Sequence, residues 1–129
     1  MVRRLRLVIA DNDLAALDLA VTDLTLEGHE VVATATDGDS AMAACLTARP
    51  DVVVLDHRMP PGPHGLDVAA RLRVEAPGVG VVLHTNHQDR AVLEGAAALG
   101  VTYVPKGSLR HLRRAVLEAA GPDRPRRPG

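Results

Sequence analysis

Residues 52–65 read VVVLDHRMPPGPHG: four aliphatic residues run straight into Asp56, and three prolines and two glycines follow. A short, continuous, β-branched run bounded by turn residues has the signature of a strand buried on both faces. The prolines and glycines then stop it and force a turn. An acid at that junction can serve as a helix cap, a salt-bridge partner or a reactive oxygen, and the rest of the chain has to decide between these roles.

Outward from this segment, apolar runs alternate with helical patterns five times. The expected strands are LRLVIA (5–10), VVATA (31–35), DVVVL (51–55), VGVVLH (79–84) and VTYV (101–104). Leu14, Leu17, Val21 and Leu24 recur at helical spacing and predict a first helix ended by Gly28. Residues 38–48 place Ala41, Ala44, Cys45 and Ala48 on one face, and residues 65–76 predict a helix stopped by Pro77-Gly78. A fourth helix over 88–99 ends at Gly100. A fifth, over 108–120, has Ser108 as N-cap with Leu109, Leu112 and Val116 facing inward. Strands that alternate with helices of this length predict an α/β domain, a five-stranded parallel sheet with helices on both faces.

The chain has 129 residues, enough for one domain with a true core. Hydrophobic residues make up 47% and aromatics 1%, with Tyr103 the sole aromatic, so the core must be aliphatic. A formal net charge of -1 gives no general case for nucleic-acid binding. Cys45 is the single cysteine, which excludes an intrachain disulfide and reads as a small buried hydrophobe. The start MVRRLRLVIAD reads as a strand entry, not a signal peptide, and no apolar run of membrane-spanning length is present, so a cytoplasmic location is expected. Residues 1–120 form the expected domain. GPDRPRRPG (121–129) reads as a flexible tail or the start of an interdomain linker.

In open parallel sheets, reactive groups collect beyond the carboxyl ends of the strands. Those ends carry Asp11-Asn12-Asp13, Asp56, Thr85 and Lys106, while Asp37 after the second strand is explained by helix capping. Lys106 stands out, because the other fourteen of the fifteen basic residues are arginines. A compact ammonium suits a small anion or an acyl phosphate, and it also suits a structural ion pair with Asp56. Clustered carboxylates suit Mg²⁺. There is no zinc spacing, no Walker motif, no GxGxxG after the first strand and no Ser-His-Asp arrangement. His57, His64, His84 and His87 are scattered and read as solvated loop residues. The residues by themselves describe an Mg²⁺-assisted site with Asp56 poised as a phosphoryl acceptor.

With IADND, VVVLDHRMP, VVLHTN and TYVPKG in order over residues 5–120, the chain resembles the receiver domain of two-component response regulators, most like those of LuxR/NarL-type transcription factors. The resemblance implies the (βα)5 flavodoxin-like fold and a phosphorylation-dependent signalling switch rather than a turnover enzyme. Asp56 would take a phosphoryl group from a sensor histidine kinase or phosphotransfer protein. Mg²⁺ would be held by Asp11, Asn12, Asp56 and the backbone carbonyl of Arg58. Lys106 and Thr85 would contact the phosphoryl oxygens, Tyr103 would change rotamer as Thr85 moves, and Met59 and Pro60 would shape the loop. The resemblance also implies an output domain, DNA-binding in such regulators, and two faces for a homodimer, helix four to helix five and helix one with helix five.

Three departures from the pattern stand out. Asn12 occupies a position where the family has an acid, which removes charge from the metal site. The segment PPGPHG (60–65) is one residue longer than usual before its glycine, and Pro105 precedes the lysine where the common proline follows it. The alternatives are a stand-alone receiver and, supported by Asn12, an atypical, phosphorylation-independent receiver acting by protein–protein contact. Arg58 lies where an Asp-nucleophile phosphatase would carry its general acid, and so argues against turnover.

Overall fold

Residues 3–122 are described by the computed structural model, so the part of the expected tail from residue 123 onward lies outside the described residues. Why the central strands are aliphatic at every position is plain from where alternate side chains go. All four residues of β3 (Val52–Leu55) are buried. Val53 and Leu55 join one apolar cluster, and Val52 and Val54 join the other. β1 (Arg6–Ala10) divides in the same way, with Val8 and Ala10 on one face and Leu7 and Ile9 on the other. β4 (Gly80–Thr85) sends Val81 and Leu83 one way and Val82 the other. β2 (Glu30–Ala35) and β5 (Thr102–Pro105) complete a parallel sheet of order β2-β1-β3-β4-β5.

The helices α1 (Leu14–Leu26) and α5 (Leu109–Ala120) cover one face through Leu17, Leu24, Leu112 and Val116. On the other face lie α2 (Gly38–Ala48), α3 (Gly65–Glu75) and α4 (Arg90–Leu99), packed through Met42, Cys45, Leu72 and Val92. This is the expected doubly wound (βα)5 fold, with strand bounds displaced by a residue or so. β4 runs on to include Thr85, and β5 includes Pro105, which pairs in register with Thr85. The expected caps form, Asp37 accepting from the Ser40 amide and Ser108 from His111, and Asp13 caps α1 by accepting from the Ala15 and Ala16 amides. Cys45 is fully buried, and burial pushes its thiol up to about 12.

One helical face differs from its periodicity. Leu14 is 67% exposed, and the buried side of α1 runs through Leu17, Ala20, Asp23 and Leu24. Asp23 can sit there because Arg113 of α5 grips it in a bidentate pair, Nε lying 3.2 and 3.0 Å from the two carboxylate oxygens. A buried carboxylate needs such a partner, and the planar guanidinium fits it.

The loop after β3 is packed tightly against its neighbours. Gly65 donates its amide to the His57 carbonyl at 2.7 Å, and a Cβ on Gly65 would run into the Asp56 carbonyl oxygen. Gly78, by contrast, has nothing within 4 Å of a Cβ. Gly65→Ala should therefore lower the urea unfolding free energy by about 1–3 kcal/mol through overpacking. Gly78→Ala should be within ~0.5 kcal/mol of the parent.

Candidate functional site

The order 2-1-3-4-5 places the reversal of winding between β1 and β3, where helices leave toward opposite faces and a crevice opens. Asp11 follows β1, Asp56 follows β3, Thr85 ends β4 and Lys106 follows β5. Asp56 is tied into this edge by its amide, which donates to the Ala10 carbonyl at 3.0 Å. The Lys106 amide donates to the Thr85 carbonyl at 3.1 Å, so Pro105 leaves the lysine anchored to the neighbouring strand. The Lys106 ammonium lies 2.7 Å from Asp11 Oδ2 and 3.2 Å from Asp56 Oδ2. The four strand-end residues singled out in the sequence thus share one edge, and three of them are in direct contact.

Both carboxylates are buried, Asp11 at 4% exposure and Asp56 at 7%. Their other oxygens also accept backbone bonds: Asp11 Oδ1 from the Asp13 amide at 2.9 Å, and Asp56 Oδ1 from the His57 amide at 2.7 Å. Two buried anions share one ammonium, so the cluster keeps a surplus negative charge. Burial raises the Asp11 pKa above the usual carboxylate value and the charge of Asp56 adds to this, against the bonds from Lys106 and Asp13. Burial works against the Lys106 charge, but its bond to Asp11 and the attraction of both carboxylates hold its pKa above that of an ordinary lysine. The Lys106 shift describes a pocket short of positive charge.

That donor chemistry fits Mg²⁺. Hard carboxylate oxygens with uncompensated charge suit a hard divalent cation that retains several waters. Among the described residues no cluster of three or more His, Cys, Asp or Glu is arranged to hold a metal. A two-acid set completed by an amide and a backbone carbonyl is the kind of site available here. Asn12 is exposed beside Asp11, and Arg58 has an exposed side chain on the loop after Asp56. Met59 is fully buried in the α2–α3–α4 core, while Pro60 is exposed and joined to Pro61 by a cis peptide bond.

Thr85 is fully buried, and its hydroxyl oxygen accepts from the His87 amide at 3.2 Å. Tyr103 is half-buried, and its hydroxyl donates to the His87 carbonyl at 3.4 Å. The two residues expected to move together therefore hold the backbone of one residue, His87, through its amide and its carbonyl.

His64 is the expected exposed loop residue, but the four histidines are not all separate or solvated. His57 stacks on His64 with ring centroids 4.9 Å apart, and His87 approaches His57 edge-on at 6.2 Å. His84 is buried on the α1–α5 side, lining a cavity of ≈ 260 Å³ with Leu19, Lys106 and Leu109. Burial pushes its pKa down to about 4, with the Lys106 charge adding to the effect. Neither placement follows from local spacing; only the parity of His84 with Val82 along β4 indicates an inward side chain.

Comparison with known proteins agrees with this arrangement. The family model for the response regulator receiver domain matches residues 7–116. The chain is 41% identical over 102 residues to the transcriptional regulatory protein TcrX of Mycobacterium tuberculosis, covering 77% of this chain and 42% of that protein. It superposes on the signal receiver domain of the response regulator NarL from Mycobacterium tuberculosis with a TM-score of 0.84 and 30% identity, over 92% of this chain and 97% of that one. A LuxR-family DNA-binding response regulator from Staphylococcus aureus gives 0.85 and 28%, over 91% and 99%. The chain spans about half the length, or less, of the curated relatives it matches.

His84 makes stability depend on pH. Its pKa is depressed in the folded state, so between 6.5 and about 4 the unfolded chain binds the proton that the folded chain refuses. Stability is therefore lost as pH falls through that window. Between pH 7 and 4.5 the parent should lose roughly 2 kcal/mol more unfolding free energy than His84→Leu, measured by urea titration at each pH.

Proposed function

Because the chain belongs to the response regulator receiver domain family, we propose that it is a switch in which Asp56 accepts a phosphoryl group from a phosphohistidine. The donor is a sensor histidine kinase or a phosphotransfer protein. The observation that carries this reading is the single lysine, poised between Asp11 and Asp56 at the carboxyl edge of the sheet.

An Asp56 carboxylate oxygen forms the new bond to phosphorus as the phosphorus–nitrogen bond of the donor breaks, and the departing imidazole keeps that electron pair. Lys106, already 3.2 Å from Asp56, meets the charge that the phosphoryl oxygens bring. Thr85 turns its hydroxyl toward those oxygens, which costs its bond from the His87 amide. With the His87 backbone released, the Tyr103 hydroxyl loses its acceptor and the ring is free to change rotamer, remodelling the α4–β5–α5 face. Asp11, Asn12, Asp56 and the Arg58 carbonyl would hold Mg²⁺, which supplies charge neutralisation for the incoming phosphoryl group. Met59, rooted in the core, and Pro60 fix the loop that carries the Arg58 carbonyl.

Residues 1–120 act as the regulatory unit, and the tail leads toward an output domain. TcrX is a transcriptional regulatory protein and the Staphylococcus aureus neighbour is a DNA-binding response regulator, which supports DNA binding as that output. Among the described residues no helix is long and apolar enough to cross a membrane, in keeping with a cytoplasmic partner of the kinase. The α4–β5–α5 and α1–α5 faces are both available for a homodimer. Asn12 favours one second reading, a receiver that binds partners without being phosphorylated, because a neutral amide weakens the cation site.

Tyr103 is the chain's only aromatic residue besides histidine, so its fluorescence reports one place. Acetyl phosphate with Mg²⁺ should add one phosphoryl group to the intact mass and change Tyr103 emission, and Asp56→Asn should show neither. An unmodified parent that responds like Asp56→Asn would establish the phosphorylation-independent reading. Asn12→Asp should lower the Mg²⁺ concentration for half-maximal emission change roughly tenfold, or ~1.4 kcal/mol.

A further inference from the structure

The ≈ 260 Å³ cavity on the α1–α5 side of the sheet has no part in the phosphoryl chemistry, yet Lys106 forms part of its wall. The apolar wall comes from Ala16, Leu19 and Ala20 of α1 and Leu109 of α5. Leu19 is 56% exposed whereas Ala20 and His84 are buried, so the cavity runs from the surface inward to β4.

His84 is the unusual member of this lining. It is 8% exposed, and among the described residues its ring makes no hydrogen bond. Unlike Nδ1 of His57, neither of its ring nitrogens is wholly enclosed, and the space that His84 borders is this cavity. A buried imidazole without a protein partner is destabilising unless an occupant of the cavity bonds to it. The other polar side chains on the wall are engaged elsewhere. The Lys106 ammonium is shared by Asp11 and Asp56, and the Ser108 hydroxyl accepts from the His111 amide. Water would satisfy the imidazole but would leave the aliphatic wall hydrated.

Charge and size then select the occupant. An anion would face the surplus negative charge of the Asp11–Asp56–Lys106 cluster, and a cation would lose its hydration beside the Lys106 ammonium. Burial and the Lys106 charge keep His84 neutral, with a pKa pushed down to about 4. A neutral imidazole offers one donor and one acceptor, and a hydroxyl can answer either. A cavity of about 150 Å³ with apolar walls already holds benzene. The ≈ 260 Å³ here therefore accommodates a ring with a substituent.

We propose that this cavity is a binding site for a small neutral hydrophobe of the phenol class, its hydroxyl bonded to His84 and its apolar body held between α1 and Leu109. Such an occupant packs against Lys106, whose ammonium bonds to both carboxylates, and so reaches the carboxyl edge without occupying it. Any effect on phosphorylation rests on the proposed switch, whereas the binding site does not.

Two probes test it, p-cresol and p-xylene, which differ only by a hydroxyl in place of a methyl group. Titrated into the full chain without Mg²⁺ or a phosphoryl donor, p-cresol should saturably shift the NMR signals of residues 16–20, the His84 ring and the Leu109 methyls. The Kd should be on the order of 1 mM. His84→Leu should lower the ratio of p-cresol to p-xylene affinity roughly fivefold, the loss of one hydrogen bond. Ala16→Leu, which fills the cavity with a good helix former, should weaken both probes at least ~10-fold. Absence of saturable shifts in the parent, or equal affinities in the parent and Ala16→Leu, would overturn the site. An affinity ratio unchanged in His84→Leu would overturn it equally. Shifts at the same residues that grow with protein concentration alone would assign the cavity to a second copy of the chain, against the proposal. Should Ala16→Leu fail to fold, as seen by circular dichroism, the ratio in His84→Leu still decides.

Discussion

Everything at the carboxyl edge depends on one ammonium shared by two buried carboxylates. Asp11 and Asp56 come from strands that are neighbours in the sheet, so the fold forces them together. In a desolvated pocket their mutual repulsion would otherwise favour protonating one of them. Lys106 reaches both, at 2.7 and 3.2 Å, and holds the cluster at one surplus negative charge instead of two. Burial is the main cause of the raised Asp11 pKa, with the charge of Asp56 adding to it, and the surplus negative charge suits the pocket to a hard cation. In the proposed switch the same charge balance would make the site responsive, because a charge added at Asp56 competes with Asp11 for the lysine.

In the proposed switch, charge would become movement through His87. Its amide is held by Thr85 and its carbonyl by Tyr103, so one residue of the β4–α4 loop joins the buried site to the half-buried ring at the domain surface. Neither bond is short, at 3.2 and 3.4 Å, as would suit contacts exchanged in the proposed switch. The strands beneath are held differently. β4 pairs with β3 and β5 along its length, and its apolar residues fill both cores. A rigid sheet thus carries a weakly tethered loop at its end, and local opening concentrates where backbone bonds are few.

Much of this was legible in the sequence, because its strongest signals are local. Continuous aliphatic runs, caps such as Asp37 and Ser108, and an acid, hydroxyl or lysine at successive strand ends all act over a few residues. The misreadings came from interactions between distant segments. Leu14 fits the helical period of α1, yet Asp23 takes a buried place instead, because Arg113, ninety residues away, supplies the matching guanidinium. His57, His64 and His87 look dispersed along the chain and meet only when two loops fold onto the same rim. Pro105 departs from the family pattern, and the structure shows that the Lys106 amide, one residue on, bonds to the Thr85 carbonyl.

The proline-rich loop and Asn12 are two sides of one physical question. A neutral amide contributes less attraction to a cation than a carboxylate does, and some other term has to offset the difference. Rigidity is available in the β3–α3 loop: a Cβ on Gly38 would collide with the Pro63 carbonyl, and Gly62 packs against Asp39. Gly65 sits against the Asp56 carbonyl, and Met59 is sunk in the core. A backbone carbonyl already held in place loses little conformational entropy on coordinating an ion, so in the proposed Mg²⁺ site Arg58 would bind at lower cost than it could from a mobile loop. A pocket built this way exchanges charge for preorganisation. Its cation affinity should then depend less on ionic strength than that of a three-acid site, because screening acts on charge and leaves geometry untouched.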